Sequence, residues 1–468
     1  MKPARDRPAS SIKHYYKIPI LEGNRATFFL WFPEQKHLKL PWNLTAKIQL
    51  FFYPAKFFFK KVTVSAHTLG CKLNYAETSD LLRRLSSEGH TIVPWGQKAD
   101  TYLINTCTVT AVAEKKCRTA IRQAHRLNPE AQIVVMGCFA QVAKEEIEKI
   151  PGVTQVLGNE SKRLLSYSGE DRTRTFFKIQ DGCDYFCTYC AIPFARGRSR
   201  SASIEETLCM ARRIAASGAK EVILTGVNTG TFGQHQGETL LDLLEKLDNL
   251  EGILRYRISS IEPNLLTDDI IDFVASSHAF LPHFHIPLQA GSDHVLQLMH
   301  RRYDTALYRA KLERIKAVMP DACIAADVMA GFNGESEEEF AKVLSYIDSL
   351  PISYLHVFTY SDRPGTAALR LGEKIPVPVR HEHTARLLEL SERKHRAFIE
   401  SQLGKTRPVL WESTRHHTSD LQPPTSDLMQ GWTDNYIRVH RPYDEALVNT
   451  VEEILLTPGN IVKEATSD

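Results

Sequence analysis

Asp181-Gly182-Cys183-Asp184-Tyr185-Phe186-Cys187-Thr188-Tyr189-Cys190 is the stretch on which the reading of this chain turns. Three cysteines stand as C-x3-C-x2-C just after Phe176–Gln180, a run that reads as a strand. Ferredoxin-type clusters use C-x2-C-x2-C with a fourth cysteine. Structural zinc sites pair two CxxC or CxxC/HxxxH halves. Here the first gap is three residues, and no fourth cysteine or histidine follows nearby. Three thiolates on a four-iron cube leave one iron without a protein ligand, which is the open position a catalytic metal needs.

Downstream, strands and helices alternate. After Phe176–Gln180 come Glu221–Thr225, Tyr256–Ser260, His283–Pro287, Ile324–Met329 and Tyr354–Thr359, with helical patterns near 203–217, 239–249, 267–277, 304–318 and 336–349. Six βα units are too few for the eight-fold barrel. They predict a partial, open-sided (β/α)6 barrel with the cysteine run at its carboxyl face, where barrel chemistry sits. An open-iron cluster there points to S-adenosylmethionine (SAM) chemistry. In that reading the amino and carboxylate groups of SAM would chelate the open iron, and an electron from the cluster would break the sulfonium carbon–sulfur bond. A structural zinc knuckle is the alternative. Other strand ends offer cofactor contacts: Tyr189 within the run, Gly226 and Asn228 in Thr225–Gly230, Glu262, His285, and Asp327. Arg196, Arg198 and Arg200 follow the loop and suit phosphate or carboxylate. His300-Arg301-Arg302 is a second basic spot with a weaker claim.

Upstream, Val62–His67, Tyr102–Asn105 and Ile133–Met136 read as strands, each followed by a helical pattern, so a parallel sheet is expected. Cys71, Cys107 and Cys138 each lie just past a strand's carboxyl end, where ligands bind in such sheets. Soft thiolates converging there suit iron–sulfur or zinc. Three buried small hydrophobes are the bland alternative. Cys117, inside a helix, reads as incidental.

After a long helix over Val379–Leu403, four short strands (Pro408–Glu412, Tyr436–His440, Leu447–Leu456, Asn460–Val462) predict a small β-barrel. Residues 405–468 hold 6 Lys/Arg against 10 Asp/Glu, which weakens an electrostatic case for RNA there. Trp411, Trp432 and Tyr436 are candidates for stacking on bases or for the barrel core. Residues 1–60 carry a net charge of +8 and broken aromatic clusters, and read as an extension or as translation from an early start. The expected divisions are thus 1–60, 61–168, 169–402 and 403–468. With 43% apolar and 24% charged residues, the chain is neither disordered nor collagen-like. No run approaches the roughly 18 apolar residues of a membrane span. Nine clustered cysteines argue for metal in a reducing, cytoplasmic setting rather than a disulfide scaffold.

The two cysteine triads, the partial barrel and the small β-barrel together resemble the radical SAM methylthiotransferases, across essentially all of 61–468. The resemblance implies two [4Fe-4S] clusters and SAM, with Cys183, Cys187 and Cys190 on the SAM-cleaving cluster. Cys71, Cys107 and Cys138 would hold an auxiliary cluster, and the tail would be a TRAM domain that contacts RNA. Thr68-Leu69-Gly70-Cys71-Lys72-Leu73-Asn74, His283–Gln289 and Arg196–Arg200 look most like the branch acting on N6-threonylcarbamoyladenosine next to the tRNA anticodon. Methylthiolation of isopentenyladenosine, or of a ribosomal protein side chain, is the alternative within the family. An electron-transfer or cluster-carrier protein is the alternative outside it. The usual Gly-Phe-Pro-Gly-Glu-Thr reads Gly331-Phe332-Asn333-Gly334-Glu335-Ser336 here, and Thr359 replaces a usual proline. The expected reaction replaces the adenine C2 hydrogen by a methylthio group, a radical route because that hydrogen is not acidic. A flavodoxin- or ferredoxin-like electron donor, a sulfur donor and the tRNA anticodon loop are the implied partners, with no membrane.

Overall fold

Alternating βα units from Lys61 onward lay down a parallel sheet that places the first cysteine triad. The chain runs β1 (Thr63–Thr68), α1 (Lys72–Ser87), β2 (Thr91–Ile92), β3 (Thr101–Thr106), α2 (Ala111–Leu127), β4 (Gln132–Gly137), α3 (Cys138–Val142), α4 (Lys144–Glu148) and β5 (Val153–Leu157). The strands pair in parallel in the order β2-β1-β3-β4-β5. Thr110 caps α2 by accepting from the Ala113 amide, and Asn128 leaves helical geometry ahead of Pro129. Two strands escape a sequence reading: β2 has two exposed residues, and β5 is a half-buried edge. The helical pattern after β4 is two short helices, broken at Ala143. The computed structural model describes residues 61–159, 162–169, 173–412 and 428–462. The expectation for 1–60 lies outside them.

The next layer begins with β6 (Ser166–Tyr167), β7 (Arg174–Lys178), β8 (Gln180–Asp181), α5 (Ile192–Arg196) and β9 (Arg200–Ser201). It continues through α6 (Ile204–Ala216), β10 (Glu221–Thr225), α7 (Leu240–Asp248), β11 (Arg255–Ile258), α8 (Asp268–Ser276) and β12 (His283–His285). It closes with α9 (Asp293–Leu298), α10 (Thr305–Val318), β13 (Cys323–Ala330), α11 (Glu337–Ser349) and β14 (Tyr354–Thr359). Strands β7-β10-β11 form one parallel ladder and β12-β13-β14 another; a parallel bridge between Tyr256 and Phe280 joins them. This is the six-stranded partial barrel the sequence predicts.

Side chains alternate along each strand. Phe284, Ile286, Ile324, Ala326, Val328 and Leu355 enter the apolar core under the helices. Their neighbours His283, His285, Ala325, Asp327 and His356 therefore face the lumen. On the other ladder, Phe176 and Ile223 pack on Ala76 of α1, so α1 lies against the lumen side of β7.

Helix α12 (Val377–Gln402) covers β14 and leads to an antiparallel sheet of β15 (Thr406–Glu412), β16 (Leu428–Thr433), β17 (Arg438–Pro442) and β18 (Val451–Leu455), ordered β17-β16-β15-β18. A bridge from Val439 to Ile461 extends it. The sequence reading misses β16 because Gly431 interrupts its pattern; a Cβ at Gly431 would lie 2.5 Å from Val409 Cγ1. The strand expected over Leu447–Leu456 is shorter, because a 3-10 turn and Asn449 at φ 62° occupy its start. No helix among the described residues is long and apolar enough to cross a membrane.

Candidate active site: two cysteine triads, each with a buried arginine

The first triad is gathered by strand ends. Gly70 and Gly137 precede Cys71 and Cys138, both with φ of +104°. A Cβ at Gly70 would stand 2.8 Å from the Cys107 Cβ, and one at Gly137 would stand 2.4 Å from the Thr106 carbonyl. Only glycine lets these turns close, and closing them brings the three thiols together. Burial, then repulsion from Cys138 and Cys71, pushes the Cys107 thiol up to about 11. Cys117 is not incidental. Its buried sulfur accepts from the Cys107 amide at 3.4 Å and faces the Cys107 carbonyl at 3.6 Å, so it clasps the backbone of a triad member.

The second triad lies on the loop after β8, at the carboxyl face of the barrel. Cys183 and Cys190 accept from the amides of Tyr185 and Ile192, at 3.5 and 3.4 Å. Burial and mutual repulsion raise Cys183 to about 11 and Cys190 to about 12. Such thiols stay protonated at neutral pH until a metal displaces the proton. Among the described residues, neither triad draws its sulfurs within 4.8 Å of one another. A single zinc ion with bonds of about 2.3 Å needs that closer gathering. The wider convergence fits an iron–sulfur cube held by three thiols, and the fourth sulfur near the first triad, Cys117, is engaged with the Cys107 backbone.

The triads are adjacent. Helix α5 starts just past Cys190 and ends at Arg196, about 7.5 Å of axis later, and it packs on α3, which begins at Cys138. Arg196 is 2% exposed. Its Nε points at the Cys138 sulfur, 3.2 Å away, and its other nitrogens hold Glu77 at 3.0 Å, Asp181 at 2.8 Å and Asn74 at 2.6 Å. The sequence expectation of a phosphate-binding Arg196 is therefore corrected: its guanidinium is spent inside the protein. Arg200 pairs with Asp181 and the Arg196 carbonyl. Arg198 alone of the three remains outside, its side chain 76% exposed beside Asp184 and Phe186.

Lys162 and Lys178 also converge on Glu77, and Lys178 on Asp181. Three buried cations thus face two carboxylates, an excess of positive charge directly beside the first triad. Buried charge needs compensation, and thiolates carrying a metal cluster supply it.

At the second triad the counterpart is Arg301. It donates to the Cys187 sulfur at 3.1 Å and to the Tyr189 hydroxyl at 3.2 Å, and it also grips Glu262. The turn at His300, φ 58°, sends it inward. Sequence reasoning gives this residue only a weak claim, because its partner lies 114 positions away. Outer-shell donors to a metal ligand are worth about 10–100-fold in activity. Arg301→Lys, which removes the fork, is expected to slow SAM cleavage by that order while iron content stays. A lowered cluster reduction potential would accompany it, since hydrogen bonds to the sulfurs set that potential.

Above this cluster, Gly226 is crowded, since a Cβ would come within 2.8 Å of Gln180 Oε1. The same oxygen accepts from the Asn228 amide at 2.9 Å. Asn228 is buried beside the Tyr185 hydroxyl, which accepts from Asn264 at 2.7 Å and is also in hydrogen-bonding reach of the Asn228 amide. A buried amide beside the cysteine loop suits a polar ligand such as SAM. Trp411 is in the core of the C-terminal sheet, and Trp432 stacks on Tyr436, which stacks on His283 of the barrel. The indole of Trp411 and the ring of Tyr436 are thereby taken out of base stacking. Asn333, where the usual motif has proline, is buried and donates its amide N–H to the Ala368 carbonyl at 2.8 Å, while its Oδ1 has no partner.

A partial parallel barrel with C-x3-C-x2-C at its carboxyl face defines a radical SAM enzyme, and residues 177–347 match the radical SAM superfamily. Residues 63–158, with the first triad, match uncharacterized protein family UPF0004. The chain is 35% identical to the threonylcarbamoyladenosine tRNA methylthiotransferase MtaB of Bacillus subtilis, over 84% of this chain and 93% of that protein. It is 30% identical to the tRNA-2-methylthio-N(6)-dimethylallyladenosine synthase of Desulfitobacterium hafniense, over 86% and 96%. It is 34% identical to the ribosomal protein uS12 methylthiotransferase RimO of Aquifex aeolicus, over 73% and 83%. The chain belongs to the radical SAM methylthiotransferase family. It is thus a sulfur-transferring enzyme that uses SAM and [4Fe-4S] clusters, which sets aside the carrier alternative.

Proposed function

We propose that the enzyme methylthiolates C2 of N6-threonylcarbamoyladenosine beside the anticodon of tRNA. The observation that carries this reading is the match to the threonylcarbamoyladenosine methylthiotransferase of B. subtilis over 93% of its length. In this reading residues 61–168 carry the auxiliary triad, 169–402 form the SAM barrel, and 403–468 form the TRAM-type RNA module. Cys183, Cys187 and Cys190 hold the SAM-cleaving cluster, and Cys71, Cys107 and Cys138 the auxiliary one. When bound, these groups supply a 5′-deoxyadenosyl radical from one SAM, a methyl group from another, and the means to join sulfur to carbon.

The chain's own residues bind, orient and exclude water. Asn228, the Gly226 turn, Tyr189 and Glu262 line the SAM side, with Arg301 holding Glu262 and Tyr189 in place. Helix α5 fixes one triad against the other, so the base is held between two sites that cannot drift apart. A low-potential donor of flavodoxin or ferredoxin type delivers the electron.

RNA phosphates have a candidate surface that the sequence reading passes over. Helix α2, next to Cys107, exposes Lys115, Lys116, Arg122 and Arg126, none of them in an ion pair among the described residues. Arg198 adds a cation on the cluster loop. Replacing the four helix cations by glutamine is expected to raise KM for tRNA with kcat held. It should also flatten the salt dependence by about 0.7–0.9 for each phosphate left without its cation. Rate measurements across a salt series check this; an unchanged slope contradicts it.

The test of the reaction is anaerobic turnover of the iron-reconstituted enzyme with SAM and dithionite. Its substrates are tRNA bearing threonylcarbamoyladenosine and tRNA bearing dimethylallyladenosine. The first should yield the 2-methylthio nucleoside together with 5′-deoxyadenosine. Product from the second alone overturns the assignment.

A further inference from the structure

The lumen wall opposite α1 holds a polar cluster that cluster binding does not use. His283 and His285 on β12, Asp327 on β13 and His356 on β14 all face inward by strand alternation. His285 Nε2 lies 2.7 Å from Asp327 Oδ1. The ligand atoms of His285, Asp327 and His356 lie within 4.8 Å of one another. His283 is 8% exposed, stacks on Tyr436 at 4.2 Å, and has no hydrogen-bond partner on either ring nitrogen. An imidazole so buried and so unsatisfied is waiting for a polar ligand.

Charge decides which ligand. Lys72, first residue of α1 and next to Cys71, is exposed, in no ion pair among the described residues, and sits over Phe176 of the lumen wall at 6.0 Å. Its positive charge acts on His283, Asp327 and His356 together. Burial, then Arg257 and Lys72, holds His283 well below the usual imidazole range, and burial above all holds His356 at about 4, so each offers an N–H without adding charge. Asp327 is hydrogen-bonded by His285. The wall therefore sets an exposed lysine and neutral N–H donors beside the His285–Asp327 pair, whose side chains keep part of their surface open. Neutral N–H donors beside a lysine suit an anionic group, and Asp327 is left to accept from a donor on the same ligand.

We propose that Lys72, His283, His285, Asp327 and His356 form the pocket that recognises the carboxylate-bearing amino-acid side chain on the substrate base. The proposal rests on the substrate reading above and names the residues that would enforce it. Lys72, His283 and His356 receive the carboxylate. Asp327, oriented by His285, accepts from the N–H or O–H of the amino acid. The sequence reading puts His285 and Asp327 on SAM; their pairing with each other and with His356 turns them toward the base instead. An isoprenyl group has nothing to offer this wall and would leave its polar atoms unpaired, which is how such sites reject analogues.

The test compares kcat/KM of the reconstituted enzyme on two anticodon stem-loops, one with free threonylcarbamoyladenosine and one with its carboxylate as the methyl ester. A ratio within one protein is independent of the fraction of active enzyme. The free acid should be preferred by roughly ten- to a hundredfold, the worth of a charged hydrogen bond. In Lys72→Met and His356→Phe, folded by thermal unfolding and iron content, the preference should collapse toward one. Equal use of acid and ester by the wild type overturns the pocket and leaves the substrate reading standing, as does a preference unchanged in both variants. Stoichiometric zinc lost in His356→Phe, with no acid preference, overturns it in favour of a metal site. Turnover of dimethylallyladenosine RNA alone fails the substrate reading itself.

Discussion

Cys187→Ala is expected to end SAM cleavage and product formation together, whereas Cys138→Ala ends product formation and leaves SAM cleavage running. Cys187 precedes helix α5 and is answered by Arg301, whereas Cys138 is answered by Arg196 at the end of α5. Loss of a direct cluster ligand should exceed the roughly 10–100-fold that outer-shell changes cost. In Cys138→Ala the Cys183–Cys190 loop keeps its amide contacts and its arginine, so the SAM side is untouched. Counting 5′-deoxyadenosine and methylthio nucleoside in the same reaction separates the cases. Normal product from Cys138→Ala would remove the auxiliary role of the first triad.

The second large effect is on stability. Glu77→Ala should destabilise the protein by about 3–5 kcal/mol, the usual cost of stranding buried charge. Glu77 on α1 holds Lys162, Lys178 and Arg196, and its carboxyl is kept well below the usual range by those three cations despite burial. Asp181 is held at about 2 against an ordinary 3.8 by Lys178 and Arg196, again despite burial. Both carboxyls have folded pKa values depressed below their unfolded ones. Their contribution is therefore complete above about pH 5 and is lost as pH falls toward 2. Unfolding monitored along an acid titration should show the wild type failing in that window, with Glu77→Ala already weakened at pH 7. An unchanged midpoint at pH 7 would show that the network holds nothing together.

What the sequence discloses and what it hides differ in kind. The cysteines are legible because spacing and strand ends are local facts, and so are the six barrel units. The arginines are legible as cations but not as partners. Arg196 meets Glu77 across 119 positions, and Arg301 meets Cys187 across 114, so a basic run looks like a surface until the fold closes around it. Cys117 hides its role because its partner is backbone, which carries no residue signal. The lumen cluster is hidden in the same way: His285 and Asp327 are 42 positions apart, and strand register alone sets Asp327 opposite His356. Strands β2 and β16 stay hidden through shortness and through a glycine, where propensity says least.

The most direct measurement is mass spectrometry of tRNA nucleosides from cells lacking this gene and from the same cells with it restored. Loss of 2-methylthio-N6-threonylcarbamoyladenosine on deletion, and its return on complementation, is the predicted result. Loss of 2-methylthio-N6-dimethylallyladenosine instead, or no change in either nucleoside, would contradict the account.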